Sequence, residues 1–211
     1  MDKVIKNINS KGYWETRFLK NWNKRGRIQT TEYAKANIQH VSISRDFSGT
    51  ITDFGCALGD AVPVYSKAFP KAKITGIDFS DAAIKECKKK YSHIASFFSG
   101  DYSKVPISDV IIASHVMEHL TNDKATVVEL LKRCTDLFIF VPFKETPLFI
   151  EHVNYYDENY YDDLNVIQKK VFKVKYKGHV TLISFIKNLL KFRFLVKKDY
   201  SKEVIMFHLK A

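Results

Sequence analysis

Cysteine is scarce in this chain: 3 residues, Cys56, Cys87 and Cys134, an odd number with no C-x-x-C pairing. That excludes a disulfide framework and a cysteine zinc site, and a reducing cytoplasm is the expected setting. No N-terminal stretch joins a basic region to an apolar one, so no secretory signal is expected. Internal repeats and low-complexity linkers are missing too, so no second independent domain is expected. Acidic residues fall short of basic ones, 23 against 34, for a formal net charge of +11. Such a surface can face nucleic acid, an anionic membrane or a phosphorylated substrate. Aromatic-basic RNA-binding signatures are absent, however, and much of the lysine is spread along helices and through the C-terminal part, as a merely solvated surface also requires. Nucleic acid is not the expected partner.

What is present is enough to fold. With 211 residues, 45% of them hydrophobic and 14% aromatic, the chain can bury a sizeable core and fits one domain. It is organised around residues 51–80, ITDFGCALGDAVPVYSKAFPKAKITGIDFS. An apolar run ends in Asp53 and Phe54, turns through Gly55 and Gly59, enters a helix-length segment and returns as a second apolar run ending in Asp78. Strand, glycine turn, helix, strand, carboxylate is the layout of a nucleotide-type site: glycine lets the backbone approach a ligand, and a carboxylate at a strand tip can accept both ribose hydroxyls. Dinucleotide binders need G-x-G-x-x-G, and here Ala57 stands at the middle glycine. Carboxylates at Asp53 and Asp60 bracket the turn. They suit an ammonium and a sulfonium better than a diphosphate, so an amino-acid-bearing nucleoside is favoured over a nicotinamide dinucleotide.

These residues resemble the class I S-adenosylmethionine-dependent methyltransferases. DFGCALGD is similar to their first motif, with Ala57 as the one departure; Asp78 in ITGIDFS matches the second acidic motif, and Asp101 in FFSGDYSKVP the third. The likeness continues through DVIIASHVMEHL and spans roughly residues 13–161. It implies a Rossmann-like α/β fold: a doubly wound seven-stranded sheet, mostly parallel with an antiparallel C-terminal strand, and helices on both faces. It also implies a single domain made of an N-terminal helical lid (1–45), a cofactor-binding core (46–150) and an acceptor-side loop, basic helix and closing strands (151–211). S-adenosylmethionine is the implied cofactor. Asp53, Gly55, Cys56, Ala57 and Gly59 would hold its methionine portion, Asp78 with Phe79 the ribose, and Asp101 with Tyr102 the adenine; Ser114 and His115 follow a strand and would meet the methionine end or the adenine.

The remaining elements follow from pattern. Trp14, Phe18 and Trp22 recur at helical spacing, and Thr30 or Thr31 is a candidate cap for a second helix running to residue 38 or beyond. In methyltransferases of this look such helices cover the cofactor, with Trp14 as lid and Arg17 near a carboxylate or phosphate; packing on the core is the plainer reading of Trp14 and Phe18. Residues 81–93 read as a helix capped by Ser80 or Asp81, with Ala83, Ile84 and Cys87 inward. Residues 95–99, 109–113 and 137–141 read as strands and 122–134 as a helix. Residues 171–176 and 204–209 read as the antiparallel pair closing the sheet. Residues 180–194 form an amphipathic stripe with Lys187, Lys191 and Arg193, too charged to span a membrane; it could cover the sheet, touch a membrane surface or meet a partner subunit.

The most chemical stretch is SHVMEHL, residues 114–120. His115 and His119 are four apart, but Glu118 stands at the fourth position rather than the second of H-E-x-x-H, so zinc-peptidase spacing fails. Glu118, His119 and His152 remain a conceivable divalent-ion set, and no metal is assigned. His152, in FIEHVNYYDENYYDDL, is the first choice as general base, with His115 and His119 next, because imidazole titrates near neutral pH. Trp14, Arg17, Glu118, Tyr155 and Tyr156 are the acceptor-side candidates. The expected reaction is methyl transfer to oxygen, less readily nitrogen, of a small anionic acceptor such as a phosphorylated or nucleotide-linked sugar or a polysaccharide precursor. An RNA ribose or protein methyltransferase is the competing enzyme, since only base N-methylation is disfavoured by the missing N-P-P-Y. A non-catalytic cofactor-binding partner subunit is the alternative of another class.

Overall fold

The computed structural model describes residues 8–20, 22, 24–177 and 199–211. Two helices open the chain, α1 (Lys11–Lys20) and α2 (Lys24–Asn37). Then β1 (Thr50–Phe54), α3 (Val62–Ala68), β2 (Lys73–Asp78), α4 (Asp81–Tyr91) and β3 (Ser96–Ser99) alternate, followed by β4 (Ser108–Ser114), α5 (Asp123–Leu131) and β5 (Cys134–Pro142). The long strands β6 (Val166–Lys177) and β7 (Asp199–Lys210) complete one seven-stranded sheet in the order β3-β2-β1-β4-β5-β7-β6. Pairing is parallel from β3 through β5, and β7 runs antiparallel to both neighbours. Strand order reverses between β1 and β4, and ligands of open α/β sheets bind at such a switch point, beyond the carboxyl ends of the strands.

The central strands sort their side chains by the period of two that pleating imposes. Val110 and Ile112, Phe138 and Phe140, and Val204 and Met206 pack on one face with Tyr33 and Ala34 of α2, Tyr65 of α3 and Cys87 of α4. Ile111 and Ala113, Leu137, Ile139 and Val141, and Ile205 and Phe207 pack on the other with Val127 and Leu130 of α5. Each such large side chain withdrawn from water stabilises the fold by about 1.5–3 kcal/mol, which explains why β4 and β5 read as continuous apolar runs. Trp14 and Phe18 of α1 pack on Leu58 and Ala83, and Trp22 stacks edge-on against both rings.

Ser80 caps α4, its hydroxyl accepting from the Ala83 amide at 3.1 Å. Thr30 and Thr31 do not cap α2, because that helix already begins at Lys24; the Thr31 hydroxyl donates to the Arg27 carbonyl one turn back. The expected helix over 180–194 lies outside the described residues. No described helix is long and apolar enough to cross a membrane.

Candidate functional site

The site is built on the turn after β1. The Gly55 and Cys56 amides both donate to the Ile77 carbonyl, folding the turn against β2. Gly55 takes φ 75°, and a Cβ there would lie 2.6 Å from the Val116 side chain, so only glycine fits. Ala57 also sits at positive φ, 48°, a conformation that costs an L-residue about 1–2 kcal/mol. Two bonds hold it there: its amide donates to Asp78 Oδ2 at 2.9 Å, and its carbonyl accepts the Cys87 thiol at 3.2 Å. Gly59 corrects an expectation. It takes φ 74°, and a Cβ there would lie 3.1 Å from Cys87 and Tyr91, so it shapes the turn and its packing but lines neither cavity described below.

A cavity of about 540 Å³ opens at the strand tips, lined by Gly55, Ala57, Asp78, Phe79, Asp101, Tyr102, His115 and His119, with Trp14, Phe18 and Trp22 as an aromatic wall. Beside it lies a cavity of about 70 Å³ bounded by Asp53, Cys56, Ser114, Tyr33 and His115. Of the expected cofactor residues, Asp53, Cys56 and Ser114 thus border only the smaller space. None of the described residues lining the larger cavity is lysine or arginine, so the positive charge of the chain is not focused there.

The carboxylates differ in environment. Asp53 is buried and its Oδ2 has no hydrogen-bond partner among the described residues; burial, then the nearby Asp78, pushes its carboxyl up to about 7. Asp78 is raised to about 6 by burial, although the Ala57 and Ser80 amides donate to it. Asp101 accepts from the Ser103 hydroxyl and amide, which hold it below its usual range while it caps the short turn Tyr102–Lys104. Asp60 turns away from the site to Arg27 and Tyr91, so only Asp53 of the two bracketing carboxylates faces the turn. An orphaned buried carboxylate oxygen, a glycine cradle and two strand-tip carboxylates fit an ammonium-bearing nucleoside such as S-adenosylmethionine.

After β4 the chain turns at His115, which has φ 54°, and enters a short turn, Met117–His119. Glu118 is almost wholly buried and bonds His115 Nδ1 at 3.0 Å. Burial would raise its carboxyl, but His115, His119 and His152 around it hold it below the usual range. The ring of His119 packs between Trp14 and His152, at centroid distances of 4.9 and 5.0 Å, and burial lowers its pKa. His152 bonds Glu145 through Nδ1. It does not line the main cavity, whereas His115 and His119 do.

Several acceptor-side expectations need correction. Glu118 faces histidines in the interior, too buried to meet an acceptor directly. Arg17 is not a free cation: with Tyr13 it binds the buried Glu151 carboxylate, tying α1 to the loop after β5. Tyr156 is buried and donates to Asp123 at 3.0 Å, so it packs rather than stacks, while Tyr155 stays 44% exposed. Asp123, unnoticed in the sequence, collects the hydroxyls of Tyr156, Tyr160 and Tyr161. A signal existed: buried tyrosines need acceptors, and NYYDENYY carries four.

Residues 51–136 match a family model described as a methyltransferase domain. The chain is 31% identical over 88 residues to 3-O-methylredipecamine 2-O-methyltransferase IpeOMT3 of Carapichea ipecacuanha, a match covering 41% of this chain and 23% of that protein. The chain thus spans about a quarter of the length of the curated relative it matches. Among solved structures, a complex between the Haloferax volcanii Trm112 methyltransferase activator and a methyltransferase superposes with TM-score 0.68 at 12% identity, covering 94% of this chain and 98% of that one. The plantazolicin methyltransferase BpumL with SAH gives TM-score 0.57 at 15% identity and 96% coverage of both chains. Over residues 51–136 the chain is thus similar to methyltransferase domains, and its fold is the one these solved structures share.

Proposed function

We propose that this chain transfers a methyl group from S-adenosylmethionine to an oxygen of a small hydroxylated acceptor, of the kind found in sugars and surface-glycan precursors. The observation that carries the reading is the continuity of the 540 Å³ cavity from the strand-tip carboxylates to His115 and His119, a size usual for small-molecule sites. Bound there, the cofactor supplies an electrophilic methyl group; the chain's own residues supply placement, dryness and a proton acceptor. Asp53, in the smaller cavity alongside, would take the ammonium, Asp78 the ribose hydroxyls through its remaining lone pairs, and Asp101 with Tyr102 the adenine. Trp14, Phe18 and Trp22 keep water from the acceptor. His115 and His119 both line the cavity, and His119, with His152 behind it, is taken as the proton acceptor in place of His152, the first choice made from sequence. With no described lysine or arginine in the lining, any phosphate on the acceptor would have to remain at the basic outer surface.

Asp78→Ala should lose SAH binding in calorimetry by at least tenfold, and a screen of hydroxylated acceptors with labelled cofactor should give product that His119→Ala reduces. Unchanged affinity removes the ribose assignment; label appearing only on protein or RNA removes the small-molecule reading. The fold shared with an activator-bound methyltransferase favours a second reading, in which a small protein partner is needed for turnover. Activity of the purified chain alone refutes it.

A further inference from the structure

Beyond the cofactor cavity, Glu118, His119 and His152 meet although 33 residues of chain separate the two histidines. One ligand atom from each lies within 4.8 Å of the others. These are the three residues that the sequence offered as a conceivable divalent-ion set, and the third arrives on the loop after β5.

Each histidine is turned for ligation. His119 Nδ1 lies 3.0 Å from the Glu151 carbonyl, which can only accept, so Nδ1 carries the proton and the Nε2 lone pair is left over. His152 Nδ1 is held by the Glu145 carboxylate, with the same result. Carbonyl or carboxylate behind Nδ1, with Nε2 in front, is the outer-shell arrangement of metal-bound imidazole. The carboxylate supplies an independent sign: Glu118 is about 1% exposed, Oε1 is bonded to His115, and Oε2 is buried with no hydrogen-bond partner among the described residues. A lone buried carboxylate oxygen costs several kcal/mol unless something positive meets it.

We propose that Glu118, His119 and His152 form a binding site for a divalent first-row transition-metal ion such as Zn²⁺ or Mn²⁺, with positions left open toward the cavity. Two imidazoles and one carboxylate are a donor set for such ions, and three protein ligands leave room for an exogenous oxygen. An ion there would coordinate an acceptor hydroxyl and lower its pKa, so that the proton passes to solvent water and His119, taken up as a ligand, no longer serves as the base. That role rests on the methyl-transfer reading above; ion binding does not.

The test is calorimetric titration of the chelator-stripped chain with Zn²⁺ and, separately, Mn²⁺. One ion per chain is expected, and His152→Ala, His119→Ala and Glu118→Gln should each weaken it at least tenfold. Glu145→Gln, which loosens His152 without removing a ligand, should weaken it by a smaller factor. His152 lines neither cavity, so SAH affinity in His152→Ala reports on folding and should be retained. No heat with either ion, or undiminished binding in a folded His152→Ala, overturns the site. Ion binding together with methyl transfer unaffected by chelator overturns the activating role and leaves the methyltransferase reading intact; ion binding with no methyl transfer to any acceptor counts against that reading and leaves the site standing.

Discussion

Asp53 offers the sharpest test of the site, because its cost and its purpose separate by pH. Its carboxyl rises from an ordinary 3.8 to about 7, chiefly through burial and next through Asp78. An acid raised in the folded state favours folding while protonated and opposes it once ionised. At about 1.36 kcal/mol per pH unit, the ionised group makes the ligand-free chain less stable by about 4 kcal/mol at pH 8, and by under about 1 kcal/mol at pH 4. Asp53→Asn removes the ionisation and leaves the shape. The gap in unfolding free energy between variant and parent, from urea titration followed by fluorescence of Trp14 and Trp22, should therefore shift in favour of Asp53→Asn by about 3 kcal/mol between pH 4 and pH 8. Taking the difference cancels the other titrating groups. The same variant should bind SAH at least tenfold more weakly at pH 7.5, since the ammonium loses its counter-charge. A gap that does not change with pH would refute the reasoning, whatever its size.

Ala57→Gly relieves a left-handed conformation worth about 1–2 kcal/mol and adds about 0.4–1 kcal/mol of unfolded-chain entropy, so a small rise in urea midpoint at unchanged m-value is expected; a loss above about 1 kcal/mol would show the turn is not strained. Asp123→Ala strands three tyrosine hydroxyls, each bonded to a charged acceptor worth about 1.5–3 kcal/mol and not additive, and should cost about 3–5 kcal/mol in unfolding experiments. Because Asp123 lines neither cavity, SAH affinity of the folded variant should stay within about threefold; a larger change would mean the tyrosine cluster props the cofactor site as well.

The cofactor half was legible because its constraints are local. Gly55 has to be glycine at a positive φ, Asp78 has to end a strand, and β4 and β5 have to be apolar throughout when both faces are covered. Most of the acceptor half was not, because its contacts join distant residues: Arg17 with Glu151 and Asp123 with Tyr161. Tyr155 and Tyr156 show the difficulty in one pair, since adjacent positions on an irregular loop point to solvent and to core with no period to tell them apart. Thr30 and Thr31 misled for a related reason: a threonine followed by helix formers looks the same at the start of a helix and inside it.

The last strand in the sequence is not the last in the sheet: β7 lies between β5 and β6, antiparallel to both. While the chain is being synthesised, the segment carrying Phe138, Phe140 and Val141 therefore has an unsatisfied ladder along one side until residues 199–210 emerge. A bare apolar border of that kind invites pairing with other chains. Expression at high concentration should therefore carry an aggregation risk at that border until β7 closes it.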